Sequence, residues 1–462
     1  MLETKKIHII GAGLAGCEAA LQLAKRGFQV LLYDMKPEKT SAAHHSKSLA
    51  EIVCSNSFGS LITEESASAS GLLKAEMAIL DCELLKVAQR VSVPAGKALA
   101  VDRQAFTQQV TEQIQANPHI TFICENVADI PEDDWVLIAT GPMTSPELTE
   151  SIARILKREQ LYFFDAAAPI ISKDSIDFDI AFYQDRYDAG AEGKTEQSGS
   201  YINCPLDKEA YEALVDILIH GEKTELKSFE KESANFFESC MPVEIMASRG
   251  VQTLRYGPMK PVGLTDPKTG RWPYAVVQLR QDNAEGTLYN MVGFQTNLKW
   301  NVQKQMIQLI PGLQEANVVR YGVMHRNTYI HSPEVLQPTL QLKEHPQILL
   351  AGQLTGTEGY TESIATGMMA AFNIARLYQN APAIVPPHET MLGALLRYIT
   401  RPEAIHQNFQ PINSNWGILP ELPEGSFKRK DKKARNKLYV ERSLSQLKAW
   451  MPSLELSPIN VS

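Results

Sequence analysis

Two cysteines stand in surroundings that could make a thiol reactive. Cys54 lies in Glu51-Ile52-Val53-Cys54-Ser55-Asn56-Ser57 and Cys240 in Glu238-Ser239-Cys240-Met241-Pro242-Val243-Glu244, both polar, loop-like stretches. A thiolate attacks electron-poor carbon, and it forms where the thiol is accessible and a nearby cation lowers its pKa. Arg249 and Arg255 follow Cys240 and supply that charge if the chain folds back. Cys17 and Cys124 sit instead in helix and strand patterns, where cysteine packs as a small hydrophobe. The six cysteines lie far apart with no CxxC pair, which argues against a zinc site, a disulfide scaffold and a dithiol redox centre. No metal is expected.

The elements that could position such thiols begin at the N-terminus. Lys6-Ile7-His8-Ile9-Ile10 is a short apolar strand running into Gly11-Ala12-Gly13-Leu14-Ala15-Gly16. A helical stretch follows, Cys17 to Lys25, then a second strand, Gln29 to Tyr33, ending on Asp34. This is the dinucleotide fingerprint in its required context. Gly11 permits a tight turn, Gly13 lets the backbone approach a pyrophosphate, Gly16 lets helix and strand pack closely, and Asp34 can bind a ribose hydroxyl. The phosphates belong at the helix N-terminus, where unpaired N–H groups favour negative charge.

The fingerprint alone does not separate FAD from NAD. Two later segments tilt the choice: Asp134 to Gly141 is a buried-type strand ending in Ala-Thr-Gly, and Ile348 to Gln353 is another, with Gly352 near its end. The helix opened by Glu362-Ser363-Ile364 resembles the second FAD segment of glutathione-reductase-like flavoproteins, where a helix N-terminus points at the flavin. FAD is the expected cofactor, with Gly141, Gly352, Glu362 and Ile364 in its site. The expected architecture is α/β. A Rossmann-like FAD-binding domain, glutathione-reductase-like, occupies 1–175 and 336–462, the second part carrying C-terminal helices. A smaller α+β insertion domain at 176–335 interrupts it.

Periodicity predicts helices over 71–91, 102–116 and 207–219, and a hairpin from 274–279 and 288–294. Residues 36–66, with His44 and His45, read as loop. The chain has 462 residues, 44% of them hydrophobic, enough for two or three domains with substantial cores. No run of eighteen apolar residues occurs and a strand begins by residue 6, so neither a membrane span nor a signal peptide is expected. A cytoplasmic protein fits best. The net charge of −8 argues against a nucleic-acid partner, yet 427–437 carries seven basic residues against one acidic. That run, with Lys428, Arg429, Lys430, Lys432 and Lys433, reads either as a solvated helix face or as a phosphate-contacting patch.

Four strings together resemble one family. They are His44-His45 with the Cys54 segment, Cys240-Met241-Pro242-Val243-Glu244 with Arg249-Gly250, Leu254 to Leu264 (LRYGPMKPVGL), and Gly322 to Thr328 (GVMHRNT). They are similar to TrmFO, the folate- and FAD-dependent tRNA (uracil-54-C5)-methyltransferases of bacteria, relatives of GidA. The resemblance covers nearly the whole chain. Asp34 stands where much of the family carries Glu, and either carboxylate can take the ribose role.

The resemblance implies that a thiolate adds to uracil C6 and that the resulting enolate takes the one-carbon unit of 5,10-methylenetetrahydrofolate at C5. A hydride from FAD, itself reduced by NAD(P)H, then completes the methyl group. It implies Cys240 for the attack and Cys54 for the thiol beside the flavin, an order that sequence alone leaves open because it fixes no distances. His325 is implied as a stacking partner for the folate pterin, against a hydrogen-bonded structural histidine. Trp300 and Tyr360 are implied near the flavin, with Arg280, Asn283 and Lys299 as polar contacts. The partner implied is tRNA, with no membrane and no obligate protein partner, and phosphate contacts at 428–437, Arg397, Arg401 and Arg442. The alternatives are the same chemistry on a ribosomal RNA uridine, a GidA-like wobble-uridine reaction, and a flavin-bound RNA-binding protein without turnover. A small-molecule flavin oxidoreductase would leave the two cysteine contexts unexplained.

Overall fold

The apolar run before the glycines becomes the middle strand of a parallel sheet. The computed structural model describes residues 6–40, 44, 46–63, 67–131, 134–157, 161–166, 168–186, 199–224, 241–322, 324–405, 409–428 and 431–455, with side chains described throughout these except at 161–166 and 324–326. Ile7–Ile10 pairs in parallel with Val30–Asp34 on one side and Trp135–Ile138 on the other. Ile120–Cys124 and Ile348–Leu350 lie at the two edges. Ile7, Ile9, Leu137 and Leu349 pack in one cluster with the helices Leu14–Lys25 and Tyr360–Tyr378. Ile10, Val136, Ile138, Ile348 and Leu350 pack in another with Leu148 and Ile152 of the helix Pro146–Leu156. The two-residue alternation of a strand thus feeds both faces, which is why these strands read as unbroken apolar runs.

The turn after the first strand depends on glycine at two points. Gly11 adopts φ +103°, and a Cβ there would meet Ala139 O at 2.7 Å; a Cβ on Gly16 would meet Gly11 O at 1.8 Å. The helix therefore starts closer to the strand than any side chain allows.

A separate core belongs to an antiparallel sheet. Its strands run in the order Phe182–Tyr183, Tyr201–Leu206, Ala275–Gln281, Leu288–Met291, Ile170–Ser172, Val318–Arg320, with the helix Lys208–His220 packed on them. The expected hairpin is present, Leu279 facing Met291 and Gln281 facing Tyr289. Leu161–Ala166 and Met324–Tyr329 form a two-stranded antiparallel ribbon where the chain leaves and re-enters the parallel-sheet part. Ile170–Ser172 thus lies six positions before the expected boundary at 176. At the other end, Ile330 and Leu336 already pack with the parallel sheet. Pairing partners far along the chain set these limits, and composition does not register them.

The helix expected over 71–91 is two, Ala69–Ile79 and Glu83–Arg90. Asp81 between them adopts φ +63°. The buried Glu18 carboxylate accepts the N–H groups of Glu83 at 3.1 Å and Leu84 at 2.8 Å, which starts the second helix in a new direction. Within the stretch read as loop, Ser57–Ser60 pairs with Ala98–Val101. Glu76 ties the C-terminal elements down: it accepts Met391 N at 2.7 Å, Leu392 N at 2.8 Å and Ser443 Oγ from the helix Lys432–Trp450. Among the described residues, no helix is long and apolar enough to cross a membrane.

Candidate active site

A cleft runs along the C-terminal ends of the parallel strands, the position where open α/β sheets take ligands. Its outer part, about 610 Å³, is lined by Gly11, Ala12, Asp34 and Lys36; its inner part, about 1170 Å³, by Leu14, Ala15, Cys54, Gly141, Gly352 and Tyr360. Gly13, His44, Glu51, Thr140 and Met143 line both, so the two parts form one continuous space.

The donor set suits a dinucleotide. Asp34 Oδ2 accepts Ala12 N at 2.8 Å while Oδ1 accepts Lys36 N at 2.9 Å, so the carboxylate holds the glycine turn and faces the outer cleft. Gly13 ends the turn as the N-cap of Leu14–Lys25, and a Cβ placed there meets only Ala139 O, at 4.0 Å. Open space above exposed helix-terminal N–H groups is what a pyrophosphate requires. The N-terminus of the helix Tyr360–Tyr378 opens at the inner part, where its first residue lines the wall. The residues present therefore fit FAD.

The Cys54 loop is pinned from both parts of the molecule. Cys54 N donates to Tyr360 Oη at 2.7 Å, and Cys54 O accepts Arg103 Nη2 at 2.8 Å. Arg103 also donates Nη1 to Ile52 O at 2.7 Å and Nε to both oxygens of Asp282 at 3.0 Å, and Asp282 comes from the antiparallel-sheet part. Asn56 donates Nδ2 to Val101 O and Gln281 O, and its Oδ1 accepts Arg280 Nε at 3.2 Å. Below the loop, Lys74 Nζ donates to Phe58 O at 2.8 Å, and burial pushes this ammonium down to about 8. Arg320 faces Arg103, Asp282, Tyr360 and Cys54; burial, and Arg103 beside it, push its guanidinium down. Its Nε and Nη2 are buried with no hydrogen-bond partner among the described residues. Burial pushes the Cys204 thiol up to about 12 and the Cys17 and Cys82 thiols up as well, marking these as packing residues.

Comparison with known proteins decides the family. A family model described as glucose inhibited division protein A matches residues 6–382. The methylenetetrahydrofolate--tRNA-(uracil-5-)-methyltransferase TrmFO of Lysinibacillus sphaericus is 53% identical over 447 residues, covering 97% of this chain and 98% of that one. Its namesake from Desulforamulus reducens is 50% identical over 454 residues, covering 98% and 99%. The chain belongs to the TrmFO family. In fold it is similar to the GidA structure from Aquifex aeolicus, with a TM-score of 0.68 over 98% of this chain and 77% of that one at 16% identity. A TrmFO chain is thus built on the GidA scaffold.

The site residues expected from sequence fall into three groups. Gly11 to Ala15, Asp34, Gly141, Gly352, Tyr360 and Cys54 all line the cleft. Other expected residues lie elsewhere. Glu362 turns its carboxylate to Ser414, accepting N at 2.9 Å and Oγ at 2.5 Å, and Ile364 is buried in the core beneath the helix. Trp300 is 63% exposed and stacks on Tyr321 at 5.7 Å, outside the residues lining the cleft. Lys299 pairs with Glu222, Arg280 is buried against Asn56, and Asn283 shapes its own turn. Arg397 and Arg442 give donors to backbone carbonyls, and Arg401 lies 3.7 Å over the Tyr398 ring.

Cys240, His45, Arg429 and Lys430 lie outside the described residues, as does the side chain of His325. The His325 backbone pairs with Asp165 in the ribbon, and Asn327, two positions on, lines the cleft. Lys428, Lys432 and Lys433 are exposed. Sequence reasoning missed Arg103, Asp282 and Asn56. The Asp102-Arg103 pair reads only as a helix start, and Asp102 is indeed the N-cap, accepting Ala105 N at 2.8 Å.

Proposed function

We infer that this chain transfers a one-carbon unit from 5,10-methylenetetrahydrofolate to C5 of a uracil in tRNA and completes it as a methyl group. The observation that carries this reading is Cys54 in the wall of a dinucleotide cleft, in a chain about half identical, along its whole length, to enzymes named for that reaction. We assign uridine 54 of the T-loop as the target, NAD(P)H as the reductant and the cytoplasm as the location. The same chemistry on a ribosomal RNA uridine, or a GidA-like wobble-uridine reaction, is the competing outcome of the assay below.

The Gly11–Gly16 turn and Asp34 would hold the ADP half of FAD, with Gly141, Gly352 and Tyr360 lining the part of the cleft left for the flavin. Bound and reduced, FAD supplies the hydride that turns the one-carbon unit into methyl. Cys240 adds its thiolate to C6 of uracil, which raises electron density at C5 and lets C5 take the carbon unit. The C5 proton then leaves as the bond between the carbon unit and the folate nitrogen breaks, releasing tetrahydrofolate; once hydride has completed the methyl group, the Cys240–C6 bond breaks and restores the uracil double bond. Cys54, held by Tyr360 and Arg103 in the wall of the same cleft, would take part in that proton transfer. His325 stacks on the pterin.

Lys428, Arg429, Lys430, Lys432 and Lys433 meet RNA phosphates. Lys432 and Lys433 occupy the first turn of the helix Lys432–Trp450, exposed beside its N-cap Asp431, which accepts Ala434 N at 2.9 Å. Exposed lysines are the side chains that meet phosphates.

The test is a methylation assay with unmodified tRNA, comparing methylenetetrahydrofolate with S-adenosylmethionine as donor. Wild type should make 5-methyluridine from the folate donor only, and Cys240→Ala should make none while retaining FAD. No product from tRNA, with FAD bound and reducible, would refute the tRNA reading and move the substrate to ribosomal RNA.

A further inference from the structure

The antiparallel-sheet part carries exposed aromatic and basic side chains that the reaction above leaves unused. Tyr256 is 83% exposed, Trp272 60% and Val251 51%. Rings of this size are normally buried, and a group of them left in solvent beside charged residues marks an interaction surface.

These rings are held in place. Leu254 and Met259 are wholly buried on either side of Tyr256. Arg255 Nε donates to Tyr274 O at 2.8 Å, its guanidinium lies 3.7 Å over the Tyr274 ring, and Gln252 Nε2 donates to Tyr274 Oη at 3.0 Å. Arg255 adjoins Tyr256 and Tyr274 stands two positions from Trp272, so this clamp fixes the two exposed rings on neighbouring strips of backbone. Tyr211 Oη donates to Val251 O at 2.7 Å, and Asp266 N donates to Arg271 O at 3.0 Å, bracing the approach to each ring.

Charge points to the partner. Residues 249–272 contain Arg249, Arg255, Lys260, Lys268 and Arg271 against the single acid Asp266, a local balance of five to one on a chain of net charge −8. Lys268 and Arg271 are exposed and Lys260 is partly so. Solvent-facing rings among cations are the makings of a single-stranded nucleic-acid platform, where bases stack on π-faces and phosphates meet lysine and arginine. The segment also begins nine positions after Cys240 along the chain.

We propose that Tyr256 and Trp272 form a stacking platform for unpaired bases of the RNA substrate's loop, with Lys260, Lys268 and Arg271 meeting the adjoining phosphates. This rests on the RNA-substrate reading above. The platform holds the loop open and offsets part of the cost of unstacking the base that reacts.

The test measures binding of a labelled T-arm stem-loop RNA, and of a blunt duplex of equal length, to the FAD-loaded full chain by fluorescence anisotropy. Tyr256→Ala and Trp272→Ala should each weaken stem-loop binding about tenfold, as loss of one base–aromatic stack does. Trp272→Phe should keep most of the affinity, and none of the three should alter FAD content, flavin reduction by NAD(P)H or duplex binding. Equal stem-loop binding by wild type and both alanine variants would overturn the platform, as would equal losses on stem-loop and duplex. Failure of wild type to bind the stem-loop at all would instead strike the RNA-substrate reading on which it rests.

Discussion

Arg103 joins the ion pair at the seam to the loop that carries Cys54, and the two roles separate by mutation. Arg103→Met strands the Asp282 carboxylate, whose side chain is only 4% exposed, and removes the donors to Ile52 O and Cys54 O. Breaking one partner out of a buried pair costs about 3–5 kcal/mol, whereas replacing both partners by apolar residues is often neutral. Arg103→Met should therefore destabilise the fold by that amount, and Arg103→Met/Asp282→Leu should recover most of it. The two bonds to the loop are not recovered. A reacting group displaced by ~1 Å loses on the order of a hundredfold in rate, so kcat for methylation should stay about that far down in the double variant. Urea unfolding gives the first quantity, and methyl transfer from methylenetetrahydrofolate the second. Arg320 faces the same carboxylate with two open donors, so both measurements are repeated with Arg320→Met to stop it from replacing Arg103. A double variant with wild-type kcat would show that Arg103 serves the ion pair alone. A single variant as stable as wild type in both backgrounds would refute the buried-pair energetics.

Gly13→Val should fold, because its Cβ position is open, yet lose flavin absorbance as its methyls fill the pyrophosphate's space; FAD retained at wild-type affinity would contradict the cleft assignment. Burial pushes the Glu76 carboxyl up from 4.5 to about 7 in the folded chain. With the folded value above the unfolded one, its contribution is fully present below pH 4.5 and lost as pH rises through 7, a swing of roughly 3 kcal/mol. Glu76→Gln should flatten the fall in stability between those two pH values, as read by urea midpoints, and an unchanged slope would sink the assignment. Lys432→Ala with Lys433→Ala should lower the slope of log binding constant against log salt by ~0.7–0.9 per lysine, without loss of fold stability. The same slope as wild type would remove both lysines from the RNA interface.

What the sequence made legible is what the chain decides locally. Strand, glycine turn, helix and acid follow within 34 residues, and each glycine answers a clash or an opening that its near neighbours create. The strand Ile348–Leu350 and the helix Tyr360–Tyr378 were legible for the same reason, although Glu362 is spent on Ser414, 52 positions along, and Ile364 faces the core. The helix break at Asp81 escaped notice because the carboxylate that starts the next helix is Glu18, 65 positions from Glu83. Trp300 lies off the cleft wall, and an aromatic residue at a helix start carries no mark of which wall it will face.

The Cys54 loop shows the division most clearly. Its string names a candidate thiol, but the loop's position is set by Tyr360, Arg103 and Gln281, separated from it by 306, 49 and 225 positions. These contacts carry no motif of their own, since a hydrogen bond to the loop asks only for a complementary group, the Tyr360 hydroxyl, the Gln281 carbonyl or the Arg103 guanidinium, that arrives at the right place. A sequence therefore states which groups can react sooner than it states what holds them. Because Tyr360 lies on the helix Tyr360–Tyr378 and Gln281 belongs to the antiparallel-sheet part, to which Arg103 is also tied through Asp282, the thiol registers the placement of both parts at once. That makes the seam, and Arg103 within it, the place where a change far from the cofactor should first be felt in the chemistry.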